Sequence, residues 1–149
     1  ELAAKLPEGA VLTPHPGEFA RLLGEAVPAD QPGRLRAVAG FAARVGGVVV
    51  LKGAYTLIGR PDGSVVISPF ANAALASAGT GDVLAGLIAG LMAQGAEAGA
   101  AAEAGVWFHA AAAEEFRRRH GRAGLLASDL LEPIPRLLGR LRLEAPEFC

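Results

Sequence analysis

The stretch Ala74–Gly95, ALASAGTGDVLAGLIAGLMAQG, restricts the fold more than any other part of the chain. It opens on small residues, Ala76-Ser77-Ala78-Gly79-Thr80-Gly81, passes one carboxylate, Asp82, and then carries no charge until Glu97. Gly79 and Gly81 lack a Cβ, so the backbone there can take positive φ and come close to a ligand. Beyond Asp82, the residues Val83, Leu84, Leu87, Ile88, Leu91 and Met92 recur at helical spacing, with alanine and glycine between them. A helix apolar on nearly every side is expected to be buried. Its first turn presents free N–H groups and the positive end of the helix dipole to whatever lies over the glycine loop. That makes an anion site, most naturally for phosphate.

An acidic residue at a helix start is ordinarily an N-cap. Here a bound phosphate would repel the carboxylate of Asp82, so capping alone is a poor use of the position. A base beside an electrophilic phosphoryl group explains it better. Aspartate is ionised at neutral pH and too weak a base to strip an alcohol in advance. In a loose phosphoryl-transfer transition state the attacking hydroxyl loses its proton late, so an oriented hydrogen-bond acceptor is sufficient.

With 149 residues, 52% of them apolar, the chain has enough material for one packed core. A formal charge of −1 provides no field to draw it to nucleic acid or anionic lipid. The uncharged run Val83–Ala96 is too short to cross a bilayer, and the Gly86/Gly90 spacing is expected to let the helix pack closely on a sheet. The only cysteine is the last residue, Cys149, so there is no disulfide framework and a cytoplasmic setting is expected. No signal peptide is visible, and a start at Glu1 rather than methionine suggests that the native start lies upstream.

Scarce residue types mark the working parts. The lysines are Lys5 and Lys52, the only asparagine is Asn72, and the threonines are Thr13, Thr56 and Thr80. All but Lys5 are expected in loops or at strand ends. Glu1–Leu6 reads as the end of a helix and Ala10–Thr13 as a short strand leading into the rigid turn Thr13-Pro14-His15-Pro16-Gly17-Glu18. A short helix through Phe19, Leu22 and Leu23 ends at Gly24, Pro28–Gly33 is a loop, and a helix through Leu35, Val38, Ala42 and Val45 runs to Gly46-Gly47. Val48–Leu51 has the continuous β-branched character of a strand buried in a parallel sheet. Pro61-Asp62-Gly63 predicts a hairpin between Tyr55–Gly59 and Ser64–Ser68. After a loop over Pro69–Gly81 and the apolar helix comes an alanine-rich helix over Glu97–His120. A last helix is expected through Leu130, Leu131, Ile134, Leu137 and Leu138, capped by Ser128-Asp129 and interrupted early by prolines, with a loose tail from Glu144.

This succession of strands and helices is an α/β arrangement with few strands, so the chain is expected to be the C-terminal part of a larger domain. Residues 1–149 read as one unit, with no repeat and no second domain.

Ala78–Gly86 (AGTGDVLAG), Thr13–Glu18 (TPHPGE) and Val50–Thr56 (VLKGAYT), in this order and spacing, resemble the ribokinase-like superfamily. Within it they are similar to the NAD(P)H-hydrate dehydratases, the YjeF C-terminal carbohydrate-kinase domain. GTGD alone indicates only the superfamily; TPHPGE with the KG-x-x-T segment makes the match specific. The resemblance implies a three-layer α/β/α sandwich and a repair reaction. ADP or ATP phosphorylates the unwanted ring hydroxyl of hydrated NADH or NADPH, and loss of phosphate restores the cofactor.

The same resemblance implies the roles. Asp82 is the base facing the hydroxyl, and Gly79, Thr80 and Gly81 form the anion hole. His15 lines the hydrated-cofactor site together with Asp82. Lys52, Gly53, Ala54, Tyr55 and Thr56, with Asn72, Ser77, Ala78 and Gly81, hold the adenine nucleotide. Glu18 is linked to Mg2+ through water. The family pattern has glycine before the asparagine and proline after it, whereas Ala71 and Ala73 flank Asn72 here, which leaves its contact open. Family members are often homotetramers, so a homo-oligomer is implied. Residue chemistry supports these roles separately, since magnesium needs only one or two carboxylates and Lys52 follows a sheet strand, where open α/β sheets bind ligands.

Blander readings stand beside these. His15 could be a solvated turn residue, and Glu18 could simply enrich a first helical turn. His109, beside Trp107 and Phe108, reads as a packed histidine. His120 complements a helix dipole, and Arg117, Arg118, Arg119 and Arg122 form a solvated, glutamate-paired helix end rather than a nucleic-acid surface. Two other functions remain open: a small-alcohol kinase of the hydroxyethylthiazole or hydroxymethylpyrimidine type, and a nucleotide-binding module without catalysis. Preference between ADP and ATP, or between hydrated NADH and NADPH, is not legible.

Overall fold

The computed structural model describes residues 6–144, so the helix expected at the very start and the tail expected at the end lie almost wholly outside them. Strands β1 (Val11–Leu12), β2 (Val48–Leu51), β3 (Leu57–Gly59) and β4 (Val65–Ile67) form one sheet in the order β1-β2-β3-β4. Around it lie α1 (Pro16–Leu23), α2 (Gln31–Val45), α3 (Thr80–Ala93), α4 (Ala98–His120) and α5 (Pro133–Glu144). Short 3₁₀ turns occupy Ala73–Ala76 and Ala127–Leu130.

β2 organises the layers because side chains alternate along a strand. Val48 and Val50 point into a core with Ile58 of β3, Leu84 and Ile88 of α3, and Ala101, Ala102 and Val106 of α4. Val49 and Leu51 point the other way, into a core with Leu57, Phe19 of α1, and Val38 and Phe41 of α2. The Phe19 and Phe41 rings meet edge to face at 5.3 Å. Helices therefore cover both faces of the sheet. A third cluster joins Ala112 and Ala113 of α4 to Leu125, Leu130 and Ile134.

The sheet is mixed rather than parallel. β2 runs parallel to β1, with Val11 opposite Val48, but antiparallel to β3, with Val50 opposite Ile58. The hairpin turn is the expected one, and Asp62 Oδ1 accepts from both the backbone N–H and the hydroxyl of Ser64 at 2.9 and 2.6 Å.

Four expectations change. The loop over Pro28–Gly33 is shorter, because Asp30 accepts from the Gly33 N–H at 2.7 Å and starts α2 at Gln31. The loop over Pro69–Gly81 contains the 3₁₀ turn, started by Asn72 as its cap, and ends at Gly79, because α3 begins at Thr80 and takes in Gly81. Ser128 and Asp129 lie in a 3₁₀ turn of their own, and Pro133 and Pro135 fall in the first turn of α5, where their missing N–H groups had no helical partner to lose. Finally, α3 is not buried all round. Thr80, Leu84 and Ile88 are buried, whereas Ala85, Gly86, Ala89 and Gly90 are exposed. A Cβ on Gly86 or Gly90 would touch nothing within 4 Å, so neither makes the close packing expected of it. That role belongs to Gly105 of α4, where a Cβ would lie 2.5 Å from Ile88 Cγ1.

Two alanine substitutions should therefore act with opposite sign. Gly105→Ala must push α4 away from a buried branched side chain and is expected to cost about 1–3 kcal/mol. Gly40→Ala, at an exposed position in α2 with open space around it, should stabilise by about 0.5–1 kcal/mol. Denaturant melts of both variants against the parent measure the difference.

Candidate active site

The carboxyl ends of β1 and β2 lead side by side into the site. Lys52, just past β2, donates its backbone N–H to the Pro14 carbonyl at 2.9 Å, which ties the Lys52 loop to the TPHPGE turn. In that turn His15 caps α1. Its Nδ1 accepts from the Glu18 N–H at 3.1 Å, and Glu18 Oε2 accepts from the His15 N–H at 2.7 Å. This reciprocal box satisfies two otherwise orphaned donors, and Pro16 at the helix start lacks an N–H to satisfy. The Glu18 carboxyl is held below the usual range, first by the His15 N–H and then by the charges of His15, Lys52 and Arg21. Lys52 Nζ lies 4.0 Å from Glu18 Oε2.

The loop after Lys52 is tightly bent. Tyr55 is the only non-glycine residue with positive φ, at 55°, among those described. Its N–H is taken by the Phe70 carbonyl at 2.9 Å, and the Thr56 hydroxyl donates to the Gly53 carbonyl at 3.0 Å. A left-handed tyrosine is uncommon and persists only where its surroundings hold it.

Across the cleft, Gly79 is the N-cap of α3, with φ of 82° and no side-chain cap. A glycine suits both the left-handed backbone and an open N-terminus. Thr80 is buried; its hydroxyl lies 2.7 Å from the Leu75 carbonyl and 2.8 Å from that of Ser77. The Thr80 carbonyl accepts from His109 Nε2 at 2.8 Å, which fixes the ring proton on that nitrogen because a carbonyl cannot donate. Asp82 is exposed in the first turn and does not cap the helix.

Between these walls lies a cleft of about 470 Å³. Of the residues singled out in the sequence, His15, Lys52, Gly53, Ala54, Thr56, Asn72, Ser77, Thr80 and Gly81 line it. Glu18, Tyr55, Ala78, Gly79 and Asp82 do not; Glu18 and Asp82 each adjoin the lining within their own turns. Lys52 comes so close to the glycine turn that a Cβ on Gly81 would lie 3.1 Å from its Nζ. Asn72 uses its side chain structurally: Oδ1 accepts from the Ala74 N–H at 3.0 Å, and Nδ2 donates to Glu114 at 3.4 Å. His109 is the residue whose part was missed. It is packed, as expected, but it also lines the cleft. Its one sequence signal was an imidazole on an otherwise alanine-rich helix.

A family profile described as NAD(P)H-hydrate dehydratase matches residues 2–136. The chain belongs to the NAD(P)H-hydrate dehydratase family. It is 48% identical over 134 residues to the bifunctional NAD(P)H-hydrate repair enzyme Nnr of Moorella thermoacetica, covering 90% of this chain and 25% of that protein. It is likewise 48% identical over 121 residues to the ADP-dependent (S)-NAD(P)H-hydrate dehydratase of Neisseria meningitidis, covering 80% of this chain and 41% of the relative. The ADP/ATP-dependent NAD(P)H-hydrate dehydratase of Bacillus subtilis, co-crystallized with ATP/Mg2+ and soaked with CoA, superposes with a TM-score of 0.83 at 38% identity. That match covers 91% of this chain and 51% of the other. A ribokinase-like superfamily protein from Enterococcus faecalis gives 0.74 at 26% identity, over 91% of this chain and 46% of its own. The fold is thus ribokinase-like α/β, and the chain spans about half, or less, of the length of these relatives.

For a member of this family, the charge state of His109 has a measurable consequence. Burial pushes the ring below the ordinary histidine range; the Thr80 bond opposes this shift and the Lys52 charge adds to it. The unfolded chain takes up a proton on this ring near about pH 6.5, the folded chain only at lower pH. Its contribution to stability is therefore complete above that pH and lost as pH falls through the window below it. His109→Gln should flatten the decline in melting temperature between about pH 7 and 5, read by parallel thermal melts of parent and variant.

Proposed function

We propose that this chain carries out the nucleotide-dependent repair of hydrated NAD(P)H. The observation that carries the reading is the meeting of Lys52 Nζ with the first turn of α3, in a cleft also lined by His15. A lysine charge and the positive end of the α3 dipole converge there, as a transferring phosphate requires. The relatives named for this reaction, and the Bacillus enzyme crystallised with ATP/Mg2+, support the same substrate pair.

In this mechanism Lys52 and the loop to Thr56 bind the phosphates of ADP or ATP, and Gly79, Thr80 and Gly81 hold the group in transfer. Asp82 orients the ring hydroxyl and takes its proton as the new oxygen–phosphorus bond forms and the bond to the nucleotide breaks. Phosphate then leaves with the electron pair of the carbon–oxygen bond, a neighbouring ring carbon gives up a proton, and the dihydropyridine is restored. His15 lines the side of the cleft from which the hydrated ring approaches.

Magnesium suits the residues present. Glu18 offers a hard carboxylate kept ionised beside the cleft, and no group of three or more metal-ligating side chains occurs among the described residues. That donor set fits a hydrated ion brought by the nucleotide phosphates and steadied by Glu18 through water. When bound, the ion draws charge from the phosphate oxygens.

Hydrated NADH offered to the intact protein with ADP or ATP should regain the absorbance of NADH without a lasting phosphorylated alcohol. A stable phosphoalcohol from another substrate would assign a small-alcohol kinase, and nucleotide binding without turnover a non-catalytic module. Asp82→Asn should lower kcat by about 10²–10⁴-fold. Nucleotide affinity in that variant should be nearly unchanged. It can be followed through the fluorescence of Trp107, the only tryptophan, whose ring lies 6.4 Å from that of Phe70 in the cleft wall. Lys52→Met should weaken nucleotide binding by about tenfold or more, the loss of a charge-assisted bond, read by the same signal.

A further inference from the structure

The buried face of α4 is built from alanine, glycine, valine and phenylalanine, with His109 as the exception. Burying an imidazole there costs solvation that an apolar side chain would not lose. The hydrogen bond that offsets this cost reaches the Thr80 carbonyl, 29 residues earlier in the chain. That carbonyl opens α3. The helix uses one of its lone pairs, and His109 takes the other. The Thr80 hydroxyl meanwhile reaches back to the Leu75 and Ser77 carbonyls. The residue at the base of the glycine turn is thus held from its own helix, from the loop before it and from α4. On the far side of the turn, Lys52 comes close enough that a methyl group at Gly81 would lie 3.1 Å from its Nζ.

We propose that His109 is a positioning residue for the phosphoryl transfer. By holding the Thr80 carbonyl, it sets the tilt of the first turn of α3, and with it the aim of the Gly79–Gly81 N–H groups and of Asp82, relative to Lys52. The proposal rests on the function assigned above. A filler residue in the same place would contribute stability only; a positioning residue also sets the rate. Displacement of about 1 Å at such a site can cost about 10²-fold in rate.

The test compares His109→Leu with His109→Gln in the intact protein. The glutamine side-chain N–H can reach where imidazole Nε2 sits, and leucine keeps the volume without the donor. With sites counted by stoichiometric nucleotide binding, His109→Leu should lose about 10²-fold in kcat per site while KM for nucleotide moves by less than about threefold. His109→Gln should recover to within about tenfold of the parent. A second readout needs no turnover. Amide exchange at Asp82 and Val83, whose N–H groups both bond to the Gly79 carbonyl, should quicken about tenfold or more in His109→Leu and return in His109→Gln, with the end of α3 unaffected. Should the leucine variant not fold, His109→Asn, whose amide falls short of Thr80, replaces it. An unchanged kcat per site with only a lower melting temperature would overturn the proposal, as would parental exchange at Asp82 and Val83. If the parent itself fails to restore NADH, the assigned function falls, and the exchange measurement alone decides whether His109 holds the turn.

Discussion

β2 is packed on both faces, and the placement of the site follows from that. Four consecutive apolar residues, Val48–Leu51, alternate between two cores, so a slide by one residue would draw Lys52 into the buried place of Leu51 or leave Gly47 in that of Val48. Its end is therefore fixed in space, and Lys52 begins where the strand stops. The same core that receives Val48 and Val50 receives Leu84 and Ile88, which brings the first turn of α3 to Lys52 rather than elsewhere over the sheet. A lysine and a helix N-terminus meet because the apolar residues behind them share a core.

Once the elements are in place, hydrogen bonds set the finer geometry, some tying one segment to another, as Lys52 to Pro14 and Tyr55 to Phe70, and others closing within a single turn. His15 and Glu18 cap each other, Thr56 closes on Gly53, Ser77 on Ala74, and Thr80 on Leu75 and Ser77. Side chains committed in this way are held in place before any ligand arrives, so positioning can supply most of the acceleration in the proposed reaction. Asn72 illustrates the difference between lying at a site and reaching into it: it lines the cleft, yet one end of its amide caps the 3₁₀ turn that precedes α3 and the other ties that turn to Glu114 of α4.

What could be read from the sequence was local. Two prolines around His15, a β-branched run and Pro-Asp-Gly between two strands each dictate their own backbone and are found where expected; of the two glycines expected before α3, Gly79 takes the left-handed cap while Gly81 lies within the helix. The environment of α3 could not be read. Alanine and glycine count as apolar in a pattern but bury little area, so a helix rich in both reads the same whether one side is open or all are closed. The sense of the β2–β3 pairing also escaped, because a buried strand looks alike beside parallel and antiparallel neighbours. His109 escaped for a different reason: its partner lies 29 residues away, and Asn72 and Glu114 are 42 apart, separations over which no periodicity carries information.

Gly105 and His109 lie four residues apart on one face of α4, one turn from each other. The first lets the helix rest against Ile88, and the second reaches the start of the helix that Ile88 belongs to. A single interhelical spacing therefore governs both the seating of the core and the reach of the imidazole. A shift of α4 against α3 by a fraction of an ångström changes the packing at Ile88 and the length of the imidazole hydrogen bond together.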